Sequence, residues 1–401
     1  FPRLNMKELN NSPYRPIKLN GCASAKVVTG NHSFETYPLI IKLWQSLNMK
    51  SIKMAKKDLK SYLVAILVII VLVWVAPVYA GLPPGNAVKD PYAILRNALP
   101  IDQKNLRDIQ HKLEDTSDAI RGSRWSSVSK AATSSQFLLS KHKNQILESI
   151  AKNRQPKAEE LLSSLKEKLN ELGEYASDKN KEKFIEQRRA SLKDIGEIEA
   201  LLLDEQFPNE IPDEFKDLPR LLGRSTVSIE TTRGNMKAVI DGYNAPLTGG
   251  AFIDLAKKGF YDGLPFIRAE DFYILQTGDP KGEAIGYTDP DTDKERHVPL
   301  EIRIPGEKDT IYNETFEELG LFTETPVLPF ATLGTLGWAH SEEALDDGSS
   351  QFFFFLYEAE LNPAGRNLID GRNAAFGYVV EGAEILNELN VKDRIIAIKV
   401  I

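Results

Sequence analysis

Apolar residues recur at helical spacing from Ile101 to Glu205. Four sets each form one apolar stripe along a helix face. The sets are Leu106, Ile109, Leu113 and Ile120; Trp125, Val128, Ala132, Leu139, Ile146 and Ile150; Leu161, Leu165, Leu169 and Leu172; and Ile185, Leu192, Ile195 and Leu202. Breaks near Arg121-Gly122, Gln155-Pro156 and Ser177-Asp178 separate them. The pattern predicts an all-α, up-down four-helix bundle over residues 101–206.

The segments that flank this helical region show no comparable periodicity. Residues 81–100 are rich in Pro and Gly, which predicts an extended segment. Residues 207–222 contain Pro208, Pro212 and Pro219, and proline at this density ends helices and stiffens a connector. The sequence therefore predicts a linker here, followed by a second domain over residues 223–401.

The hydrophobic period changes to two in the second domain. Thr226 to Ile240 alternates around an Arg-Gly-Asn sequence, which predicts two strands joined by a turn. The stretch from Ala251 to Lys258 predicts a helix that ends at Gly259. Many short strands with few helices favour a closed β-barrel with flanking helices.

The first 80 residues have the composition of a two-part targeting sequence. Residues 1–60 carry eleven Lys and Arg and three acids, which is typical of a transit peptide. The apolar run Leu63–Trp74 leads to Val78-Tyr79-Ala80 before Gly81, a small-residue cleavage pattern for an export signal. In plants this combination indicates the chloroplast thylakoid lumen. A retained membrane anchor is the alternative, because the uncharged stretch that begins at Ser61 is long enough to span a bilayer.

The charge and the cysteine content exclude some classes of function. The formal net charge is −7, but residues 81–401 hold 54 of the 57 acids and 39 of the 50 Lys and Arg, a charge of −15. An acidic body disfavours nucleic-acid binding, which needs clustered bases. The one cysteine, Cys22, lies in the leader, so cysteine chemistry is excluded from residues 81–401. His111 and His142 lack the spacing of metal ligands, and we predict no metal site.

Three separated motifs resemble those of cyclophilin-type peptidyl-prolyl isomerases. Phe266-Ile-Arg-Ala-Glu-Asp-Phe-Tyr-Ile-Leu-Gln-Thr-Gly-Asp279 has an arginine eight residues before a glutamine, followed by Gly-Asp. Gly348-Ser-Ser-Gln-Phe-Phe353 and Asp370-Gly-Arg-Asn-Ala-Ala-Phe-Gly377 follow in the family's order. The whole arrangement resembles the multidomain thylakoid-lumen cyclophilins of plants, whose helical part is similar to the PsbQ subunit of photosystem II.

The resemblance implies a prolyl isomerase that needs no metal or other cofactor. Rotation about an X-Pro bond crosses a resonance barrier of about 18–20 kcal/mol, and a donor aimed at the proline nitrogen stabilises the twisted state. Arg268 is the implied donor, and Gln276 would hold the neighbouring carbonyl. The alternative interpretation of Arg268 is a surface ion pair with Glu270 or Asp271. The implied substrate-binding residues are Phe266, Tyr273, Ile274, Ala339, His340, Phe353, Leu368, Ile369 and Asn373.

Several of these positions depart from the family's pattern. Tyr273 and Ile274 stand where phenylalanine and methionine are usual, and both retain apolar bulk. His340 replaces an asparagine, Leu368 replaces the groove tryptophan, and Asn373 replaces a histidine. Loss of the tryptophan predicts weak cyclosporin binding. Loss of both the tryptophan and the histidine predicts reduced isomerase activity.

Two acidic loops differ from the family's pattern, and the second of them is expected beside the groove. An insert between Asp279 and Gly334, longer than in short family members, contains Asp289, Asp291, Asp293, Glu314, Glu317 and Glu318. Its Asp289-Pro-Asp-Thr-Asp293 sequence has a passing likeness to a calcium loop but lacks the glycine and the distal glutamate. The loop Ser341–Asp347 adds four acids. The pattern favours loops that are solvated or that select basic partners.

The sequence leaves two main functions open. In the first, the protein is an isomerase that assists protein folding or photosystem assembly in the thylakoid lumen; the retained Arg268 and Gln276 favour this hypothesis. In the second, it is a non-catalytic photosystem II assembly factor whose groove binds proline-containing loops; Leu368, Asn373 and the acidic loops favour it. There the helical domain docks on a photosynthetic complex or covers the groove. A purely structural lumen protein is a third hypothesis.

The expected partners follow from these hypotheses. They are proline-containing segments of lumenal or thylakoid membrane proteins, photosystem II subunits among them. Nucleic acid is not expected, and peripheral association with the membrane remains open.

Overall fold

The computed structural model describes residues 90–203, 211–280, 282, 284–307, 309–357 and 369–401. The predicted leader, residues 1–80, and the substrate-binding candidate Leu368 lie outside these residues. Among the helices within these ranges, none is long and apolar enough to cross a membrane.

Six helices form the first part of the described chain. They are α1 (Pro91–Asn97), α2 (Lys104–Glu114), α3 (Thr116–Arg121), α4 (Trp125–Glu148), α5 (Gln155–Ser177) and α6 (Lys181–Leu202). The predicted four-helix bundle is confirmed, with its first helix broken at Asp115 into α2 and α3. The apolar stripes meet in one core, in which residues such as Leu106, Val128, Leu165 and Ile195 are fully buried.

The extended conformation predicted for residues 81–100 is wrong for Pro91–Asn97, which form α1. Asp90 caps this helix by accepting a hydrogen bond from the Tyr92 N–H (3.0 Å), and Pro91 occupies the first turn, where its missing N–H costs nothing. Ile94 and Leu95 are buried in the core of the second domain, so tertiary packing stabilises a helix too short to show a period of its own.

Helix α1 joins the two domains. On one side, the Asn244 side-chain amide donates to the Ala98 carbonyl (2.9 Å), and the Arg224 guanidinium donates to the Leu95 carbonyl. On the other side, Arg96 forms an ion pair with Glu114 of α2 at 2.8 Å. One short helix therefore connects the helical bundle with the second domain through both polar and apolar contacts.

The second domain contains twelve strands and one α-helix among its described residues. The strands are β1 (Arg224–Thr231), β2 (Gly234–Asp241), β3 (Arg268–Glu270), β4 (Ile274–Thr277), β5 (Thr288–Asp289), β6 (Lys294–Glu295), β7 (Glu301–Arg303), β8 (Thr310–Tyr312), β9 (Thr335–Trp338), β10 (Phe352–Phe355), β11 (Ala375–Glu381) and β12 (Ile395–Val400). The helix, α7, spans Pro246–Lys257. Short 3₁₀ turns occupy Asp213–Phe215 and Ala383–Glu388.

Eight strands form one curled antiparallel sheet in the order β12-β1-β2-β11-β9-β10-β4-β3. The segment before β3 closes the ring onto β12, because the Ile395 N–H donates to the Leu264 carbonyl (2.9 Å) and the Phe266 N–H donates to the Asp393 carbonyl (3.2 Å). The predicted β-barrel is thereby confirmed. Closure leaves no long unpaired edge in the described sheet.

Aromatic rings fill the barrel interior. The ring centroid of Phe252, on α7, lies 5.3 Å from that of Tyr261, 5.1 Å from that of Phe352 and 5.2 Å from that of Phe376. Tilted and edge-on ring pairs at these distances stabilise a core beyond the area that they bury. The core thus fixes the strand β10, which carries the predicted groove phenylalanine on its other face.

Helix α7 begins at Pro246, five residues before the predicted start at Ala251. Gly249 and Gly250 make the start of this helix difficult to predict from the sequence, because glycine is a poor helix former. The structure explains Gly250 by close packing: a Cβ there would lie 2.2 Å from the carbonyl oxygen of Pro219 in the linker. The linker therefore packs directly against the helix.

A buried carboxylate caps α7. Glu301, on β7 of the insert, accepts hydrogen bonds from the backbone N–H groups of Leu247 (3.1 Å) and Thr248 (3.0 Å). Burial outweighs these hydrogen bonds and raises the pKa of Glu301 to about 7. The insert is thus attached to the barrel through a polar contact inside the protein.

Candidate active site

Five strands each contribute one residue to a row across the face of the sheet that lies opposite the barrel core. The register pairs Arg268 with Gln276, Gln276 with Phe353, Phe353 with Gly337, and Gly337 with Ala375. Directly paired residues on antiparallel strands project to the same face. The fold thus brings Arg268, Gln276 and Phe353 together on successive strands spaced about 4.8 Å apart.

Arg268 lies on the short outer strand β3 and is exposed to solvent. Its Nε donates to the Glu270 carboxylate at 2.6 Å, so the ion pair considered from the sequence is present. The pair uses Nε, and no described residue pairs with the two terminal nitrogens of the guanidinium, which are the donors for a ligand. The ion pair and the role in the groove are therefore compatible.

A chain of side-chain amides positions Gln276. Its Nε2 donates to Oε1 of Gln351 (2.8 Å), and Nε2 of Gln351 donates to the Asp279 carboxylate (3.0 Å) and to the Ile285 carbonyl (2.9 Å). This network fixes the amide orientation, which leaves Oε1 of Gln276 as an acceptor. Sequence reasoning did not assign Gln351 to the site, although it lies inside one of the family motifs.

The run Phe352–Phe355 divides between two environments. Strand alternation predicts that Phe353 and Phe355 share one face and that Phe352 and Phe354 share the other. The ring contacts confirm this, because Phe352 packs in the barrel while Phe353 stacks on Phe330 with centroids 5.7 Å apart and planes 12° apart. Phe355 meets the same Phe330 ring edge-on at 5.7 Å.

Phe353 is 5% exposed, so its ring forms a floor that is almost fully covered. Phe330, at the end of the insert, provides one part of the cover and was not predicted from the sequence. Gly337 lies beneath the ring, and a Cβ at this position would be 2.3 Å from Cζ of Phe353. A glycine on β9 therefore allows the floor to lie close to the sheet.

His340 is held by the backbone of two segments. Its Nδ1 lies 2.7 Å from the Ser341 carbonyl oxygen, and its Nε2 lies 2.9 Å from that of Arg372. Nearby, Nδ2 of Asn373 donates to the Trp338 carbonyl (3.4 Å). Both departures from the family pattern therefore make contacts with the backbone around the groove.

The other predicted substrate-binding residues differ in accessibility. Phe266 is 1% exposed and belongs to the core, so its side chain offers little surface to a ligand. Ile274 and Ile369 are also buried, Ala339 is half-buried, and Tyr273 is 39% exposed at the β3–β4 hairpin. Tyr273 is thus the most accessible apolar side chain among the predicted residues that the structure describes.

The insert braces the segment that borders the groove. Phe316 packs over Gly371, where a Cβ would lie 2.4 Å from Cγ of Phe316. Glu317 forms an ion pair with Arg372 at 2.5 Å, and the Asp370 carboxylate accepts from the Phe330 N–H at 2.8 Å. Residues 369–373 are therefore held from the insert side by apolar, ionic and hydrogen-bonding contacts.

The acidic sequence that resembles part of a calcium loop folds as a local turn. The backbone N–H groups of Asp291 (3.0 Å) and Thr292 (3.1 Å) donate to the Asp289 carboxylate, and these bonds lower the pKa of Asp289. No group of three or more potential metal-ligand side chains occurs within the described part of the chain. Asp289 therefore stabilises the turn by accepting hydrogen bonds from the turn's own backbone.

Comparison with known proteins matches both domains. Residues 90–203 match the family model of the CYP38-like peptidyl-prolyl cis-trans isomerase PsbQ-like domain, and residues 226–396 match that of the cyclophilin type peptidyl-prolyl cis-trans isomerases.

Two relatives match most of the chain. One is named as a thylakoid lumen peptidyl-prolyl cis-trans isomerase of Synechocystis sp.; it is 46% identical over 80% of this chain and 84% of its own. The other is the chloroplastic peptidyl-prolyl cis-trans isomerase CYP38 of Arabidopsis thaliana, 38% identical over 82% of this chain and 77% of its own. These names confirm the predicted location in the thylakoid lumen.

One solved structure aligns with the second domain. A crystal structure of a cyclophilin type isomerase of Cryptosporidium parvum covers 44% of this chain and 98% of its own, at 21% identity and a TM-score of 0.31. That similarity is too low to add to the argument.

Proposed function

Because this chain belongs to the cyclophilin-type peptidyl-prolyl cis-trans isomerases that carry a PsbQ-like domain, we propose that its clients are proline-containing segments of lumenal proteins and of photosystem II subunits. The isomerase acts on these segments while the proteins fold or assemble. The observation that supports this best is the row of Arg268, Gln276 and Phe353 on adjacent strands.

The geometry explains how these residues promote rotation. A prolyl ring that contacts the edge of Phe353 places its nitrogen toward β4 and β3, where the terminal nitrogens of Arg268 can donate. Twisting the amide returns the lone pair to that nitrogen, so a cationic donor stabilises the twisted state more than the planar one. Gln276, held by Gln351, engages the neighbouring carbonyl and keeps one side of the bond fixed while the other turns.

The charge around the groove indicates which clients it prefers. Glu342, Glu343 and Asp346 are exposed on the loop that His340 anchors at the edge of the groove. Acidic side chains at the rim accelerate encounter with positively charged segments and repel acidic ones. We therefore expect clients with Lys or Arg near the proline.

A second function, a non-catalytic assembly factor that binds proline-containing loops, is supported by the covered floor. Phe353 is stacked against Phe330 and almost fully buried, which limits how deeply a prolyl ring can enter. In this second function the groove binds the client through the half-exposed Tyr273 and through Arg268, and rotation about the X-Pro bond is not accelerated.

Exchange spectroscopy separates the two functions. Cis–trans exchange of a Lys-flanked proline peptide is measured by NMR with the chain from Gly81 onward, which forms one compact unit. Arg268→Ala is expected to lower the catalysed rate about a hundredfold, as loss of one transition-state donor does. Lys399→Ala, which removes an exposed cation on β12, is the control and should leave the rate unchanged. Equal rates for the wild type and Arg268→Ala, with peptide-induced shifts still present at Tyr273, would establish the binding function instead.

A further inference from the structure

Acidic residues are absent from a long segment of an otherwise acidic body. Residues 119–147 contain no Asp or Glu, while they carry Arg121, Arg124, Lys130, Lys141 and Lys143. The chain from residue 81 onward has a formal charge of −15, so the positive charge of residues 119–147 is opposite in sign to that of the chain around them. Most of the segment is helix α4 together with the turn that precedes it.

The fold directs one face of α4 to solvent. Val128, Ala132, Leu139 and Ile146 are buried in the bundle core, and they fix the rotation of the helix. The opposite face consists of exposed residues with basic, aromatic and small polar side chains. These are Lys130, Thr133, Phe137, Ser140, Lys141 and Asn144. Spacings of seven and four residues place Lys130, Phe137 and Lys141 in line along the helix.

Phe137 protrudes at the centre of this face and is 63% exposed. The ammonium nitrogen of Lys141 lies 5.9 Å from its ring centroid, within the range of a cation–π contact. From Lys130 to Lys141 the cations extend about 17 Å along the helix at a rise of 1.5 Å per residue. We call this surface, made of Lys130, Phe137 and Lys141, the basic face.

The basic face has a defined limit. Across the groove between α4 and α5, Glu174 and Asp178 line the α5 side, opposite Ser129 and Thr133. On this side, the basic face therefore ends at the groove. A positive face on an acidic body favours approach to an anionic partner through that face.

We propose that the basic face binds an anionic lipid bilayer, with Phe137 in the headgroup region and the ammonium groups of Lys130 and Lys141 on the lipid phosphates or sulfonates. A convex helix surface with one protruding ring and cations spread along its length fits a deformable planar layer. A rigid protein partner would need a socket shaped for Phe137. Aromatic rings are favoured at the headgroup level of a membrane, and juxtamembrane Lys and Arg add attraction to anionic lipids.

Vesicle sedimentation tests this inference with the chain from Gly81 onward. Vesicles of phosphatidylcholine alone are compared with vesicles that contain one third phosphatidylglycerol. The protein should sediment with the anionic vesicles and remain in solution with the neutral ones, and added salt should weaken binding. Lys130→Gln/Lys141→Gln should lower the partition coefficient about thirtyfold. Phe137→Trp should retain binding and show a blue-shifted emission with anionic vesicles.

The control has the same change of net charge on another surface. Lys166 and Lys183 are exposed on α5 and α6, and Lys183 lies over the Tyr175 ring at 5.5 Å, which resembles the Lys141–Phe137 pair. Lys166→Gln/Lys183→Gln should bind anionic vesicles as the wild type does. Equal losses in both double variants would overturn the inference, because they would show attraction that depends on net charge alone. Failure to bind anionic vesicles, with protease-sensitive binding to thylakoid membranes, would overturn it in favour of a protein partner.

Discussion

Replacing Gly337 by alanine tests the geometry of the groove floor. A Cβ at this position would lie 2.3 Å from Cζ and 2.6 Å from Cε2 of Phe353, and 2.8 Å from Cε1 of Phe330. Carbon atoms in contact are normally separated by about 3.5–4.0 Å, so the Phe353 ring must move by more than about 1 Å. Overpacking of this kind costs about 1–3 kcal/mol of unfolding free energy.

The direction of the movement decides the effect on activity. The sheet lies behind the Phe353 ring, so the added methyl group displaces the ring toward the space that the prolyl ring would occupy. We expect Gly337→Ala to lower kcat/KM for a proline peptide by ten- to a hundredfold, since misplacement by about 1 Å has effects of this size. Urea unfolding and cis–trans exchange by NMR measure the two effects separately.

A second substitution distinguishes the steric mechanism from general damage. Phe353→Leu removes the two closest colliding atoms and leaves the contact with Cε1 of Phe330. Gly337→Ala/Phe353→Leu should therefore recover part of the stability lost in Gly337→Ala while activity stays low. If Gly337→Ala has the unfolding midpoint and activity of the wild type, the close approach of the floor to β9 is refuted.

Two further predictions concern Glu301 and Glu270. The pKa of Glu301 is about 7 in the folded protein against 4.5 for the free side chain, so the folded state holds an additional proton between these values. The contribution of Glu301 to the free energy of unfolding should therefore be greatest below pH 4.5 and fall by up to about 3 kcal/mol as the pH rises through 7. In Glu301→Gln, the midpoint of urea unfolding should depend less on pH than in the wild type. An unchanged pH dependence of the midpoint would contradict the assignment. Glu270→Gln should lower isomerase kcat/KM by up to about fivefold, because an exposed ion pair contributes little, whereas Asp271→Asn should have no effect. A rate increase in Glu270→Gln would show instead that the carboxylate restrains Arg268.

Local patterns were sufficient for most of the fold. The helical stripes from Leu106 to Leu202 are long enough to show their period, and they pack against one another in the bundle that the period implies. Helix α1 was missed because it is seven residues long and packs on strands more than a hundred residues later in the chain. Such a helix is stabilised by tertiary contact, which leaves no periodic signal.

The site was predictable where it follows from register and motif. Arg268 and Gln276 are eight residues apart around a hairpin, and the motif that names them also places them opposite each other on β3 and β4. Phe330 was not predictable, because no local pattern connects an insert residue with a ring on β10. Gly337 and Gly250 each appeared to be ordinary glycines, and only the distances to Phe353 and Pro219 give their reason.

The insert explains how the groove keeps its form despite departures from the family pattern. The family places tryptophan and histidine around the segment that here contains Ile369 and Asn373, and neither is present. In this chain Phe316 and Glu317 hold that segment from one side, while His340 joins it to the neighbouring loop. The partners in these contacts are Gly371 and Arg372, which are not part of the row of Arg268, Gln276 and Phe353. The changes therefore act mainly on the walls of the groove, and the chemistry depends on whether Arg268 reaches the nitrogen of a proline that enters over a covered floor.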